Sequence, residues 1–213
     1  MADNGLPILH GYFRSSASFR VRIALNLKGL SYENVFHHLR RNEQRSEAYL
    51  AINPQGLVPA LHVDDAILTQ SLAICEYLDE VHPAPPLLPR EPIARAHVRA
   101  AAYVVACDIH PLQNLKIFKR LADDGLSPDK VTEWARVTID EGLEALASLL
   151  PPATRFAFGD TPSLADICLV PQLANARRFG VNLRWPRVLE IEANCLALDE
   201  FRSAAPENQP DAE

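Results

Sequence analysis

Ser15 and Ser16 are the residues of this chain best placed to do chemistry. They stand where Ile8–Phe13, short, apolar and aromatic, gives way to Phe19, Ile23 and Leu27 at i, i+4 and i+8, with Ala24 beside them. The first run predicts a strand and the second a helix with one buried face. A serine at such a junction can cap the helix start. The unpaired N–H groups and positive dipole end there favour an anion, a thiolate included. The pattern alone leaves an ordinary capped helix open. No GxxxxGK[ST] is present, so the turn is not a phosphate loop.

A second helix start lies in Thr69-Gln70-Ser71-Leu72-Ala73-Ile74-Cys75-Glu76-Tyr77-Leu78. Ser71 is its N-cap candidate, and Ser71 with the adjacent N–H groups could hold a carboxylate. His37-His38 falls in a polar, Arg-containing loop over 37–46; adjacent histidines rarely aim at one ion, so the reading is a solvated loop and no metal. The four cysteines, Cys75, Cys107, Cys168 and Cys195, lie far apart with no CxxC, which predicts buried free thiols in a reducing cytosol.

These candidates need elements to position them. Gly29 can end the first helix, residues 32–36 read as a strand, and a short helix follows near 46–52. In Asn53–Leu61 a Pro/Gly turn leads to a strand through Leu61 and Val63, with Pro59 at its start because proline cannot donate to a ladder. Asp64-Asp65 makes a hairpin turn, Ile67-Leu68 an edge strand, and Ile74, Leu78 and Val81 share a helix face. Strand-helix-strand-helix-strand-strand-helix is a thioredoxin-like α/β order, assigned to residues 1–83. The Pro-rich residues 84–92 read as a linker and 93–213 as an all-helical domain. Within it, helical spacing covers 93–123, and Ser127-Pro128 opens a helix burying Ile139, Leu143, Leu146 and Leu150. Ser163 and Asp166 have capping-box spacing and a structural role, and the polar tail from Pro206 is expected to fray.

The 213 residues are 48% hydrophobic with a formal net charge of −6, which argues against non-specific nucleic-acid binding. No apolar run approaches the roughly 20 residues that span a bilayer. Met1–Gly5 is polar and lacks a basic start with an apolar core, so a cytoplasmic protein is expected.

The wording of the motifs goes further. RSSASFRVRIAL resembles the signature of zeta-class glutathione transferases, as do NPQGLVPAL, QSLAICEYL and PQLANARRF, and GDTPSLADICLVPQ resembles the capping segment of transferase C-terminal domains. Ala17 and Phe19 stand where that family often has Cys and Trp or His. The resemblance implies glutathione as cofactor, a homodimer, and a thioredoxin-like domain followed by an all-α domain. It implies a glutathione-dependent cis–trans isomerase of a small diacid, maleylacetoacetate, with maleylpyruvate or broader transferase activity as alternatives. A non-catalytic glutathione-fold module is the rival outside enzymes. Ser15 matches the thiol-activating serine and Ser16 its neighbour. Gln44, Val58 before a cis Pro59, Gln70, Ser71, His110 and Asn114 match glutathione contacts. Arg14, Arg178, His110 and Lys116 match substrate contacts, whereas Arg177 falls at a variable position and is expected to face solvent. Without the family, His110 before Pro111 would read as a helix-kink residue. Gln113-Asn114-Leu115 leans toward the maleylacetoacetate branch, since the maleylpyruvate branch can carry consecutive arginines at Leu115-Lys116. Lowering a thiol from about 8.5 by two units takes about 2.7 kcal/mol, within reach of one hydroxyl hydrogen bond plus a helix N-terminus.

Overall fold

The computed structural model of the protein describes residues 5–213. They form two compact units, the chain through Leu87 with Leu198–Glu213, and Leu88–Ala197.

In the first unit, β1 (Ile8–Gly11) pairs parallel with β2 (Glu33–Phe36) and antiparallel with β3 (Ala60–Val63). β3 pairs antiparallel with β4 (Ala66–Thr69), giving the order β2-β1-β3-β4. The parallel pair needs a crossover, which α1 (Ser16–Leu27) supplies. Gly29, at φ 65°, ends α1, and Asp64, at φ 50°, turns the β3–β4 hairpin in a left-handed conformation that Asp tolerates. α2 (Glu47–Ile52) starts on Ser46, whose Oγ accepts the Tyr49 N–H at 3.2 Å. α3 (Ser71–Val81) follows β4 directly. This is the element order read from the sequence. Val58–Pro59 is cis, as the resemblance implied.

α1 departs from the expected one-faced helix, because every residue from Ser16 to Leu25 is buried. It packs against both α3 and α9 (Asp199–Arg202), which covers its polar side. Buried guanidinium groups need partners. Arg22 donates to the carbonyls of Ala204 (2.8 Å), Tyr12 (3.5 Å) and Phe13 (3.0 Å). Burial lowers its pKa to about 10, which leaves it cationic at neutral pH.

Two expectations about the C-terminus are corrected. The helical unit ends at Ala197, not at residue 213, because Leu198–Glu213 packs with the first unit. The tail is not frayed: Gln209 is 8% exposed and donates to the Ser203 and Ala205 carbonyls at 2.8 and 3.0 Å. α1 supplies further donors to this segment, including Asn26 Nδ2 to Glu200 O at 2.9 Å. The division between the units falls inside the Pro-rich stretch, where Leu87 and Leu88 are buried.

The second unit contains α4 (Pro92–Tyr103), α5 (Leu115–Asp123), α6 (Pro128–Leu149), α7 (Leu164–Arg178) and α8 (Pro186–Leu196). The helix expected over 93–123 is broken. After Tyr103 it widens to a π-helical turn, Val104–Ile109, then tightens to a 3-10 turn, His110–Gln113. Pro111 has no N–H and its ring crowds the carbonyl four residues back. The His110 N–H bonds Val105 O, one residue further back than in an α-helix. Ile109 then seats on α6 at Gly142, where an added Cβ would lie 2.2 Å from Ile109 Cγ1. Ile139, Leu143, Leu146 and Leu150 are buried as read. Asp166 accepts the Ser163 N–H and Oγ and the Ala157 N–H, each at 2.8 Å, so the capping box forms.

Candidate active site

Ser15 takes the N-cap position of α1, and its Oγ accepts the Ser18 N–H at 3.2 Å. Its own N–H donates to Tyr12 O at 3.0 Å. A serine hydroxyl has two acceptor lone pairs and one hydrogen to give. Accepting from Ser18 therefore leaves the Ser15 hydrogen free to be donated to an anion. Capping and thiolate activation are compatible at this residue, so the two readings left open by the sequence are not rivals. Ser16 is the first helical residue and is buried. Arg14 is half-buried, its guanidinium 5.0 Å from the Phe13 ring centroid.

Val58 belongs to a buried cluster with Tyr12, Phe13 and Tyr49, against which Leu39 and Ile52 pack. That cluster joins the turn before Ser15 to the entry of β3. The Leu57 carbonyl accepts both the Tyr49 hydroxyl (2.6 Å) and Asn53 Nδ2 (2.7 Å), fixing the backbone on which Val58 is carried. Burial pushes the Tyr49 hydroxyl up to about 12, which keeps it protonated as that donor. Asn53 Oδ1 accepts the Gln55 N–H at 3.1 Å, and Gln55 Oε1 accepts Gln70 Nε2 at 2.8 Å, tying this loop to the start of α3.

The expected N-cap at Ser71 is corrected. Gln70, at φ 67°, occupies the cap position and Ser71 is the first helical residue. Ser71 Oγ accepts Arg20 Nη1 at 3.3 Å, so a buried arginine of α1 holds it. Gln44 Oε1 is buried with no hydrogen-bond partner among the described residues. Its turn lies against Gly56, where a Cβ would come within 2.7 Å of Arg45 Nη1 and 3.0 Å of the Gln44 carbonyl oxygen. Gly56 sits at φ 60°, so both space and backbone call for glycine.

His37 is not turned to a partner in the loop. Its Nε2 lies 3.0 Å from His10 Nδ1, and its ring packs 4.3 Å from that of Tyr49. Burial lowers the pKa of both histidines; the His37 and His62 charges lower that of His10 further, and Glu43 opposes the shift at His37. His38 Nε2 meets Glu213 Oε1 at 2.7 Å.

In the second unit, the turn His110–Gln113 leads to Asn114, whose Oδ1 accepts the Lys116 N–H at 3.0 Å and caps α5. Gln113 Nε2 donates to Gln172 Oε1 at 2.8 Å; both side chains are buried, which ties this turn to α7. Arg178 is the last residue of α7 and lies 4.6 Å over the Phe179 ring. Arg177 does more than face solvent, since it holds both carboxylate oxygens of Glu192 at 2.5 Å.

Arg14, Ser15, Ser16, Gln44, Val58, Pro59, Gln70 and Ser71 thus lie in the first unit, and His110, Asn114, Lys116 and Arg178 in the second. The sequence reading missed Tyr49, Asn53 and Gln55 as supports, and missed Arg20 and Arg22 as buried ties. Asn53 and Gln55 stood in the quoted NPQG motif, and both arginines in RVRIAL, so their place in those motifs was the available signal.

A mixed four-stranded sheet in this order with its crossover helix, followed by a helical unit, is the glutathione transferase architecture. Residues 14–81 match the glutathione S-transferase N-terminal domain and residues 95–191 its C-terminal domain, and the chain belongs to the glutathione S-transferase family. It is 46% identical over 209 residues to a maleylpyruvate isomerase of Ralstonia sp., covering 96% of this chain and 99% of that protein. It is 47% identical over 207 residues to a maleylacetoacetate isomerase of Pseudomonas aeruginosa, covering 95% and 97%. A crystal structure of maleylacetoacetate isomerase from Anaeromyxobacter dehalogenans with glutathione in its active site superposes with a TM-score of 0.90 at 43% identity, covering 98% of each chain.

Proposed function

We propose that this protein is a glutathione-dependent cis–trans isomerase that converts maleylacetoacetate to fumarylacetoacetate. The observation that carries the reading is Ser15, held as the cap of α1 with its hydroxyl hydrogen available. The residues fit glutathione. The buried acceptor Gln44 Oε1 lacks a donor that an amide or ammonium N–H would supply, and the N-terminus of α3 suits a carboxylate. Glutathione bound there would supply a thiolate able to act as nucleophile and then leaving group at the cis double bond, and it would be regenerated. Ser15 donates its hydroxyl hydrogen to hold the sulfur's negative charge, with Ser16 beside it. Val58 offers backbone groups to the peptide, and Gln70 and Ser71 hold its glutamyl end. Asn114 and His110 contact the tripeptide, and His110 also serves a substrate oxygen. Arg14, Arg178 and Lys116 bind substrate carboxylates and favour charge that develops during the reaction.

The near-equal identity to a maleylpyruvate isomerase supports maleylpyruvate as the second reading. Leu115-Lys116, in place of consecutive arginines, favours maleylacetoacetate. Side-by-side kcat/KM on the two diacids decides between them, with the larger value expected on maleylacetoacetate; a larger value on maleylpyruvate reverses the assignment. Glutathione-dependent loss of maleylacetoacetate absorbance tests the activity itself, and its absence in wild type would refute the proposal. The protein is read as a cytoplasmic homodimer; light scattering behind gel filtration tests the dimer. Among the described residues, no helix is long and apolar enough to cross a membrane.

A further inference from the structure

We propose that the C-terminal tail is the support of the Arg14-Ser15 turn, with Asp211 as a positioning residue for the thiol-activating serine. The proposal rests on the reading of Ser15 given above. Residues 12–14 lie between β1 and α1 and belong to neither. Phe13 is nonetheless buried, 3% exposed, and its backbone is held on both sides by charged groups. Its N–H donates to Asp211 Oδ2 at 2.9 Å. Its carbonyl accepts Arg22 Nη2 at 3.0 Å. The same guanidinium reaches Tyr12 O at 3.5 Å and, through Nε, Ala204 O at 2.8 Å, so one arginine of α1 binds the turn and the tail together.

The tail is in turn fixed by Gln209 and, at its end, by Glu213 on His38. Asp211 Oδ1 is buried without a partner among the described residues. A carboxylate accepting an N–H makes a stronger bond than a neutral acceptor does. Rotation of the Phe13 peptide would swing Arg14 and Ser15, and misplacement by about 1 Å costs up to 100-fold in rate. The tail therefore sets where the Ser15 hydroxyl points.

The test compares wild type with D211A, D211N and E213A. The readouts are glutathione-dependent turnover of maleylacetoacetate across pH and amide hydrogen exchange at Phe13. D211A is expected to lose roughly tenfold or more in kcat/KM, to shift the rising limb of its pH profile upward, and to speed Phe13 exchange. D211N, which keeps an acceptor oxygen, is expected to restore most of the rate, and E213A, which loosens only the tail's last residue and leaves Asp211 and Gln209 in place, to lose less than D211A. Wild-type kinetics and exchange in D211A would overturn the proposal, as would D211N as impaired as D211A. If D211A does not fold, D211E decides: its longer side chain moves the acceptor, and unchanged kinetics would overturn the idea. A wild type that takes up no glutathione would defeat the functional reading instead, while exchange at Phe13 would still judge the role of Asp211.

Discussion

Replacing Ser15 by Ala removes two things at once, and their sizes separate them. The first is the cap. Ser15 Oγ receives the Ser18 N–H at 3.2 Å, a long contact, so the loss should sit near about 1 kcal/mol. For a chain of this size that lowers Tm by about 2–4 °C. The second is the hydrogen given to the sulfur. A hydrogen bond to a charged group is worth about 1.5–3 kcal/mol, which corresponds to about 1–2 pKa units. A bound thiol lowered by about two units from its usual 8.5 would return most of the way in S15A. The sign follows: thiolate is lost as pH falls through the bound pKa, so the mutant loses activity at a higher pH than wild type does. Near neutrality the thiolate fraction, and kcat/KM with it, should fall about 8–25-fold, and the ultraviolet thiolate absorbance of bound glutathione should titrate at higher pH. A variant with the small loss of Tm but kcat/KM within about threefold of wild type would leave Ser15 a cap alone and refute its catalytic role.

Gly142→Ala would put a Cβ 2.2 Å from Ile109 Cγ1 and 2.5 Å from Cδ1, so it should destabilise by about 1–3 kcal/mol. The pair Gly142→Ala with Ile109→Ala should be less destabilised than the sum of the single changes, measured by denaturant titration. The folded-state pKa values of His10 and His37 lie below the usual 6.5, so the unfolded chain takes up protons first as pH falls. Their contribution to stability is complete above pH 6.5 and lost below it, and Tm should drop from pH 7 to pH 5, less steeply in His37→Asn. Cys107 is exposed, against the expectation of four buried thiols, so native-state thiol labelling read by mass spectrometry should modify it and spare buried Cys75, Cys168 and Cys195. Burial, and Asp166 beside it, push the Cys195 thiol up and so reinforce its protection.

The first 81 residues were legible because their signals are local. Turn residues at Gly29, Asp64-Asp65 and Asn53–Gly56 punctuate short apolar runs, and the element order follows from them. What failed was decided by distant contacts. Arg20 and Arg22 broke the one-faced reading of α1 because partners at Ser71 and Ala204 let a second face be buried. Ser71 lost the cap because Arg20 claims its hydroxyl and Gln70 takes a positive φ. A polar tail reads as loose when Phe13, nearly 200 residues away in sequence, is not known to need its carboxylate. Pro111 announced a break, yet that the chain would widen before it depended on the seat at Gly142. At the candidate site the motif wording identified the residues, and the hydrogen bonds on Leu57 O supplied the support that no local pattern encodes.

The most direct test of the central claim replaces the thiol rather than the protein. Turnover of maleylacetoacetate by wild type should be measured with glutathione, with S-methylglutathione and with neither. The account predicts the trans product only with glutathione, which is recovered unconsumed. Isomerisation at an undiminished rate with S-methylglutathione, or without any tripeptide, would contradict it.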